Sequence, residues 1–459
     1  MDTQQPRRYG GLNIRMATRL RQIKLGMFLR PAGHHLAAWR HENSQADAGV
    51  SFERFVEVAQ IAERGLFDML FSADSATANS VFDEAGLRRM SYVAWIEPFT
   101  LLAGLASVTR NIGLVCTAST TYEEPFSLAR KFASLDHISH GRAGWNLVTS
   151  GNHTAAQNFS RNEHMAKDKR YLRAKEFSDV VLGLWDSWEE DAFIRNRDSG
   201  IFFDPRKLHT LNHVGEHFRV MGPLNVARSP QGRPVLVQAG ASDDGKQLAA
   251  ETAEVVFTAA PTIEEGRAFY SDVKERMVAF GRDPDSLKVM PGFFVTTGET
   301  SAEAHEKREA LQALIHPEVG LALLSQRMGI NLSGYDVDGP VPDIHPDNVI
   351  SSRVTLLSDM ARRENMTIRQ LYTHIAGGRG HYDVCGTPKD IADVMEEWFI
   401  TGAADGFNVM PPVFPDSLSD FVNLVVPELQ KRGLFRTAYE GKTLRENLGL
   451  QRPQNRYVL

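Results

Sequence analysis

Eight apolar runs, each followed by a segment whose hydrophobic residues have helical spacing, limit the folds open to this chain more than any other sequence feature. The runs lie at residues 22–29, 67–71, 112–118, 143–148, 235–239, 255–258, 287–297 and 405–410. Strands that alternate with helices form parallel β-α-β units. Eight such units favour a closed barrel over an open sheet, so the sequence predicts an α/β fold, a (β/α)8 TIM barrel.

The strongest helical pattern covers residues 168–188. Its apolar side chains at Tyr171, Ala174 and Phe177, continued by Val181 and Leu184, fall on one stripe, which is typical of a helix that packs on a core. A closing helix is predicted over 416–432.

Three long interruptions depart from an ideal barrel. They are residues 34–43 together with the loop after Asp74, residues 189–233, which contain a predicted hairpin (209–214 and 216–222), and residues 315–383. We therefore predict an N-terminal arm at 1–21, one barrel domain at 22–435 with insertions at about 189–233 and 315–383, and a C-terminal tail at 436–459. Long insertions of this kind are usually functional loops or lids.

Composition excludes several classes of partner. The formal net charge is −6, so no basic surface is expected for nucleic acid or an anionic membrane. Two cysteines, Cys116 and Cys385, cannot form a disulfide framework. No apolar stretch is long enough to span a membrane. The Arg-rich first 21 residues lack a secretory h-region and indicate a disordered or partner-wrapping arm, with a transit peptide as the alternative. We expect a cytoplasmic protein.

Neutral hydrogen-bonding residues follow the predicted strands, where a barrel carries its chemistry. The set is His34, Asp74, Thr117, Thr120, Asn146, Thr149, Ser150, Gly240, Ala241 and Ser242, with Arg30 and Gly33 after the first strand. With one carboxylate and no lysine, it does not favour glycosidase or Schiff-base chemistry. His34, His35 and His41 lack metal-ligand spacing, so no metal site is predicted.

Residues 234–260 read as strand, tight turn, helix and strand. Gly240 permits a sharp turn, and Ser242 can cap the following helix. The first-turn N–H groups of that helix suit a phosphate, although an ordinary N-capped helix without a ligand would have the same sequence pattern. A phosphate cradle beside neutral donors indicates a cofactor that carries its own reactivity, such as flavin mononucleotide (FMN). Asn146 is a candidate for the ring edge, unless it only satisfies backbone groups at a strand end.

An ordered set of short motifs resembles a known family. The set includes GHHLAAWR (33–40), ERGLFDMLFSAD (63–74), TASTTYEEPFSLAR (117–130), SHGRAGWNLVTS (139–150), RYLRAKEF (170–177), VQAGASDDG (237–245) and the GTP and GAADGFNVM pair within 386–410. The chain resembles the bacterial-luciferase-like flavin monooxygenases, and within them the nitrilotriacetate, dibenzothiophene-sulfone and long-chain alkane monooxygenase group. The resemblance runs from about residue 22 to 435.

The resemblance implies an enzyme that receives reduced FMN from a separate NAD(P)H:flavin reductase and reacts it with O2. It also implies a homodimer or homotetramer. The cofactor-binding residues that it implies are Asp74, Thr117, Thr120, Asn146, Ser150, Lys167, Tyr171, Gly240, Ala241 and Ser242. Tyr171 and the turn at 240–242 would hold the phosphate. Lys167 stands where relatives often carry His, and Ala241 where they often carry Ser. His34 is the candidate catalytic residue, which would orient or protonate the flavin (hydro)peroxide.

Three alternatives stay open at this point. They are a luciferase-fold oxidoreductase that uses the deazaflavin F420, a flavin-binding protein without catalysis, and a non-flavin barrel enzyme that acts on sugar phosphates. The strand ends offer few cations, although Arg30 and Arg40 weaken that argument, so a hydrophobic xenobiotic is the expected type of substrate.

Overall fold

A computed structural model describes residues 21–78, 84–342 and 352–458. Its strands are β1 (Lys24–Leu29), β2 (Met69–Ser72), β3 (Gly113–Ser119), β4 (Ala143–Val148), β5 (His213–Val214), β6 (Arg219–Val220), β7 (Val235–Ala239), β8 (Val255–Thr258), β9 (Lys288–Thr297), β10 (Tyr382–Gly386) and β11 (Gly406–Met410).

Eight of these strands close a parallel barrel. The hydrogen-bonded order is β1, β2, β3, β4, β7, β8, β9 and β11, and β11 pairs with β1 again. The predicted (β/α)8 fold is confirmed, with the predicted strand bounds within two residues of those observed. Because every strand runs the same way, the carboxyl ends of all eight meet at one mouth.

Helices connect the strands and cover the barrel. They are Phe52–Arg64, Glu84–Leu87, Pro98–Val108, Pro125–Ile138, Ala155–Asn158, Lys167–Trp185, Asp243–Thr252, Ile263–Ala279, Ser301–Ala313, Pro317–Met328, Ser352–Arg363, Ile368–Ala376, Pro388–Ile400, Asp416–Asp420, Val426–Lys431 and Leu444–Asn447. The predicted closing helix is interrupted by a π-helical turn at Phe421–Val425. Among the described residues, no helix is both long enough and apolar enough to cross a bilayer.

Local chemistry explains where several helices begin. The Ser51 hydroxyl accepts a hydrogen bond from the Arg54 amide at the start of Phe52–Arg64. Thr387 and Asp390 form a reciprocal capping box, with Pro388 at the first helical position. Such caps satisfy N–H groups that the helix leaves without a partner.

The two predicted insertions differ in structure. The first contains the hairpin of β5 and β6, which is shorter than predicted because only two residues of each strand pair. The second leads into β10, which the sequence did not reveal. β10 pairs with Phe293–Thr297 of β9, whereas β8 pairs with residues 288–291. Helices Pro317–Met328 and Ile368–Ala376 pack together around a separate apolar core near the mouth.

The last described residues close the lower end of the barrel. Leu444, Leu448 and Leu450 join Val115 and Val235 in the apolar filling of the lumen. Glycine at 113 leaves room for the Leu444 side chain, which a Cβ there would strike, and a Cβ at Gly144 would lie 2.9 Å from a methyl group of Val115. The segment 436–458 therefore packs as an integral layer under the strands.

Two buried ion pairs fasten this segment. Arg436 pairs with Asp68, and Arg445 pairs with Glu254. Each carboxylate also accepts a hydrogen bond from a strand amide, Leu25 N at 2.7 Å and Leu236 N at 3.0 Å respectively. Although burial opposes it, the Arg445 guanidinium holds the pKa of Glu254 below its usual range. Because these buried charges are paired and hydrogen-bonded, they hold the C-terminal segment in one position against the strands.

Candidate functional site

Three aromatic rings form a floor beneath the mouth of the barrel. Phe28 and Phe71 lie with ring centroids 5.1 Å apart, and Phe257 lies 5.4 Å from Phe28 and 5.2 Å from Phe71. All three belong to the apolar filling of the lumen or pack against it. The floor separates the strand ends above it from the packed core below.

A polar chain crosses the ends of three neighbouring strands. Asn146 Nδ2 donates to Thr117 Oγ1 at 2.8 Å, and Thr117 Oγ1 donates to the carbonyl of Ser72 at 2.7 Å. These bonds orient the Asn146 amide and leave Oδ1 as its free acceptor. Oδ1 is buried and has no hydrogen-bond partner within the described residues. A buried acceptor of this kind is satisfied when a ligand brings an N–H group.

Two cavities adjoin this chain at the strand ends. One, of about 470 Å³, is lined by Asp74 and Thr117 and by the aromatic residues Trp95, Phe99 and Phe159. The other, of about 330 Å³, shares Asp74 and Thr117 and reaches Ser150, Asn152 and Ala239. Burial raises the pKa of Asp74. The Ser150 hydroxyl donates to Ser119 Oγ at 2.7 Å.

The predicted phosphate cradle lies at the end of the neighbouring strand β7. Ser242 caps helix Asp243–Thr252 by accepting from Gly245 N at 3.3 Å, and its Oγ lies 3.2 Å from the Tyr171 hydroxyl. A Cβ at Gly245 would lie 3.3 Å from that hydroxyl, so glycine gives Tyr171 room. A Cβ at Gly240 would meet nothing within 4 Å. An open space therefore faces two hydroxyls and a helix N-terminus, as an anion site requires.

Paired charges surround the cradle. Lys167 Nζ lies 3.0 Å from Asp244, in the first turn of the capped helix, and both side chains are about half exposed. The hydrogen bond to Asp244 raises the pKa of Lys167. Asp243 pairs with Arg276. Because each carboxylate has a cation beside it, the acidic first turn does not repel an anion at Ser242 as strongly as its sequence suggests. Ala241 is exposed and adds no hydroxyl.

One residue that the sequence analysis did not select lies beside this region. Arg170 donates to the carbonyls of Thr149, at 3.1 Å, and of Ser150. It thereby ties the end of β4 to the helix that carries Tyr171. The available signal was the RYLRAKEF motif, in which Arg170 directly precedes Tyr171.

Thr120 lies apart from the other predicted cofactor residues. Its hydroxyl donates to the carbonyl of Val148 at 3.2 Å, the residue is fully buried, and it lines neither cavity. The structure brings together Asp74, Thr117 and Ser150 at the cavities, with Asn146 bonded to Thr117. Tyr171, Gly240 and Ser242 lie at the cradle, with Lys167 at its edge.

His34 lies under the mouth on the side of β1. Its Nε2 donates to the carbonyl of Phe28 at 2.8 Å, so Nδ1 is left as an acceptor, and Nδ1 is buried without a partner within the described residues. Burial, then the cations of Arg30 and Arg379, hold the pKa of His34 well below its usual range. The ring is therefore neutral with its proton committed to a carbonyl. This geometry favours the orienting part of the role expected of His34, through Nδ1 as an acceptor, and the role itself stays a prediction.

The donor set fits a flavin mononucleotide. The ring edge of a flavin would supply the N–H group that Asn146 Oδ1 lacks, the aromatic floor would face the ring system, and the cradle would take the phosphate. β4 and β7 are hydrogen-bonded neighbours, with Asn146 opposite Val237, so the ring and phosphate subsites adjoin. Within residues 21–78, 84–342 and 352–458, no group of three His, Cys, Asp or Glu side chains could hold a metal ion.

Known proteins are similar to this chain in sequence and in fold. The family model described as Luciferase-like monooxygenase matches residues 32–405. N-acetyl-S-(2-succino)cysteine monooxygenase of Bacillus subtilis (strain 168) is 54% identical, covering 96% of this chain and 100% of the relative. Nitrilotriacetate monooxygenase component A of Aminobacter aminovorans is 51% identical, covering 95% and 98%. The crystal structure of DmoA from Hyphomicrobium sulfonivorans superposes with a TM-score of 0.85 at 35% identity, covering 93% and 92%.

These similarities agree with the barrel fold. The family model spans most of the described chain, and each relative is aligned over nearly its whole length. The resemblance deduced from the ordered motifs is confirmed. The chain therefore belongs to the luciferase-like monooxygenase family and is a flavin-dependent monooxygenase.

Proposed function

We propose that this chain is the oxygenase component of a two-component system. It takes FMNH2 from a separate NAD(P)H:flavin reductase and uses O2 to oxidise a small organic molecule. The observation that carries the proposal is the pairing of an unsatisfied buried amide acceptor, Asn146 Oδ1, with an open two-hydroxyl cradle at Tyr171 and Ser242. A relative that is 51% identical bears the name component A, which supports a division of labour between two proteins.

Reduced flavin, when bound, supplies the electrons that activate O2. The residues of this chain bind and orient it. Asn146, held by Thr117, would accept from the ring edge, and Tyr171 and Ser242 would donate to the phosphate. Preorganised donors of this kind lose little entropy on binding.

Water exclusion is the second task of the protein. The floor of Phe28, Phe71 and Phe257 seals the site from below. Helices Pro317–Met328 and Ile368–Ala376, from the second insertion, pack beside the mouth and are the proposed cover. A dry site protects reactive oxygen chemistry from hydrolysis.

The apolar part of the substrate would lie in the cavity of about 470 Å³. Trp95, Phe99 and Phe159 provide its apolar walls, next to Asp74 and Thr117 at the strand ends. This position places a small organic molecule beside the region proposed for the flavin ring.

Anaerobic titration with photoreduced FMN, followed by addition of O2 and candidate substrates, tests the proposal. We expect saturable binding of FMNH2 and, with NADH and a generic flavin reductase, substrate-dependent product formation. Asn146→Leu should weaken flavin binding, whereas Asn196→Leu, in the first insertion, should not. Turnover with F420 and no O2, or wild-type protein that does not bind FMN in either redox state, would contradict the proposal.

A further inference from the structure

Two guanidinium groups converge on one aromatic ring at the end of β1. Arg30 follows the strand directly, and Arg379 lies in the turn before β10. Their Cζ atoms lie 5.3 Å and 5.6 Å from the centroid of the Tyr92 ring. The Tyr92 hydroxyl donates to the carbonyl of Gly33 at 2.8 Å, which fixes the ring between them.

Neither arginine has a carboxylate partner in the part of the chain that the structure describes. Arg379 donates to the carbonyl of His34 at 2.9 Å, and Arg30 Nε is buried with no hydrogen-bond partner. Burial, then repulsion by Arg379, lowers the pKa of Arg30 to about 10, so it is still a cation at neutral pH. Both residues are partly buried, and two neighbouring cations in such surroundings without a counter-charge are unfavourable unless an anion joins them.

The pair faces the mouth from the side opposite the cradle. β1 and β7 are four strands apart in either direction around the eight-stranded barrel. Arg30 also lies 5.1 Å over the ring of Phe28, which is part of the aromatic floor. An anion held by the pair would thus lie above the floor, away from Ser242 and Tyr171.

We propose that Arg30 and Arg379 form a subsite for a carboxylate group of an anionic organic substrate. The proposal rests on the proposed function, because the remainder of that substrate must lie beside the flavin. Guanidinium groups bind carboxylates in a planar, two-pronged manner, which gives orientation as well as affinity. The insertion that carries Arg379 would then determine specificity, since the barrel strands alone supply only Arg30.

Isothermal titration tests the pair with simple probes. With FMN present, we expect succinate to bind the wild-type protein and neutral succinamide to bind at least ten times more weakly. Arg30→Met and Arg379→Met should each weaken succinate binding at least tenfold. Arg30→Lys should restore part of it, and Arg267→Met, on the exposed side of helix Ile263–Ala279, should leave it unchanged.

The FMN affinity of each variant, measured in the same way, keeps the two proposals separate. Succinate that binds Arg30→Met and Arg379→Met as well as the wild-type protein would overturn the carboxylate subsite while FMN binding stands. Inorganic phosphate that competes with FMN and loses affinity in the arginine variants would also overturn it, because the pair would then be the phosphate site of the flavin. Folding of the variants is checked by thermal unfolding, and Arg379→Lys, which keeps the charge, serves if Arg379→Met does not fold.

Discussion

The Tyr171 hydroxyl lies 3.2 Å from Ser242 Oγ, although 71 positions separate them in the chain. Tyr171 is carried by helix Lys167–Trp185 and Ser242 by the turn after β7. Two elements that cover neighbouring strands thus present hydroxyls to one point. Because the Tyr171 hydroxyl has no capping role, it supports the proposal that this capped helix also binds an anion.

Removal of either hydroxyl should weaken flavin binding. For Ser242→Ala and Tyr171→Phe we expect the Kd for FMN, followed by quenching of its fluorescence, to rise roughly tenfold, as expected for one hydrogen bond to a charged group. Thr262→Ala is the matched control. Thr262 also caps a helix, by accepting from Glu265 N, so its loss costs about 1 kcal/mol of stability without affecting FMN. If Thr262→Ala weakened FMN binding equally, the effect of Ser242→Ala would be explained by the loss of a helix cap and not by a lost contact with FMN.

A side chain at Gly240 should fill the cradle without disturbing the fold. Since a Cβ there meets nothing within 4 Å, we expect Gly240→Leu to unfold at nearly the wild-type temperature and to bind FMN at least tenfold more weakly, roughly the value of one lost charged contact. Gly33→Ala is the contrasting variant, because its Cβ would collide with the backbone of Pro412 at a φ of +123°. It should lose stability. Wild-type affinity in Gly240→Leu would place the phosphate elsewhere.

His34 should contribute to turnover through its acceptor nitrogen. With photoreduced FMN, His34→Ala should lower kcat roughly tenfold, the value of one lost hydrogen bond in a dry site, and leave FMN affinity unchanged. His34→Gln, whose amide offers both a donor and an acceptor, should recover part of the loss. Unchanged kcat in His34→Ala would remove the proposed role.

Acid should destabilise the protein through its buried histidines. Burial, then Arg379, lowers the pKa of His35 to about 3, so the folded state stays neutral while the unfolded chain takes up a proton below about pH 6.5. Its stabilising contribution is therefore complete above that pH and is lost as the pH falls from about 6.5 towards 3. At pH 5 the loss is about 2 kcal/mol.

Urea unfolding at pH 7 and pH 5 measures this effect. His35→Asn, which keeps an acceptor for the Ala37 amide, should lose less stability between the two pH values than the wild-type protein. His305→Asn, at an exposed helical position, should behave as the wild type. Identical acid sensitivity in His35→Asn would show that His35 is already protonated in the folded state.

The lower end of the barrel should depend on its buried ion pairs. Arg436→Met leaves the carboxylate of Asp68 buried without its cation, so we expect a loss of about 3–5 kcal/mol in urea unfolding. The double variant Arg436→Met with Asp68→Asn should recover much of that loss. A chain that ends after residue 435 should not fold, since it also lacks Leu444, Leu448 and Leu450. A stable truncated chain would contradict this account of the lower end.

The barrel was predictable because its strands are continuous apolar runs, bounded by turns and capped helices. β10 was not, because its five residues, YDVCG, follow a glycine-rich turn and have no apolar run of their own. Its pairing depends on the extra length of β9, which only the assembled sheet reveals.

The site was partly predictable for a related reason. Residues at strand ends, such as Asn146 and Thr117, can be predicted because they directly end or follow an apolar run in the sequence. The bond between them depends on a contact across two strands, and the orientation of His34 depends on how the turn after β1 folds back onto the carbonyl of Phe28. Arg379 reaches Tyr92 from an insertion almost 290 positions later in the chain. The sequence analysis counted few cations at the strand ends because Arg379 is not near a strand end that the sequence predicted. The hydrophobic type of substrate remains a prediction.

The closed lower end of the barrel has a consequence for molecular traffic. Among the described residues, leucines fill the lower lumen and phenylalanine rings lie above them, so the strand ends are approached from the mouth. Under the proposed function, reduced flavin, oxygen, substrate and product would all pass through that mouth. The ligand that binds deeper would then enter first and leave last, so the architecture would impose an order of entry and exit on the catalytic cycle.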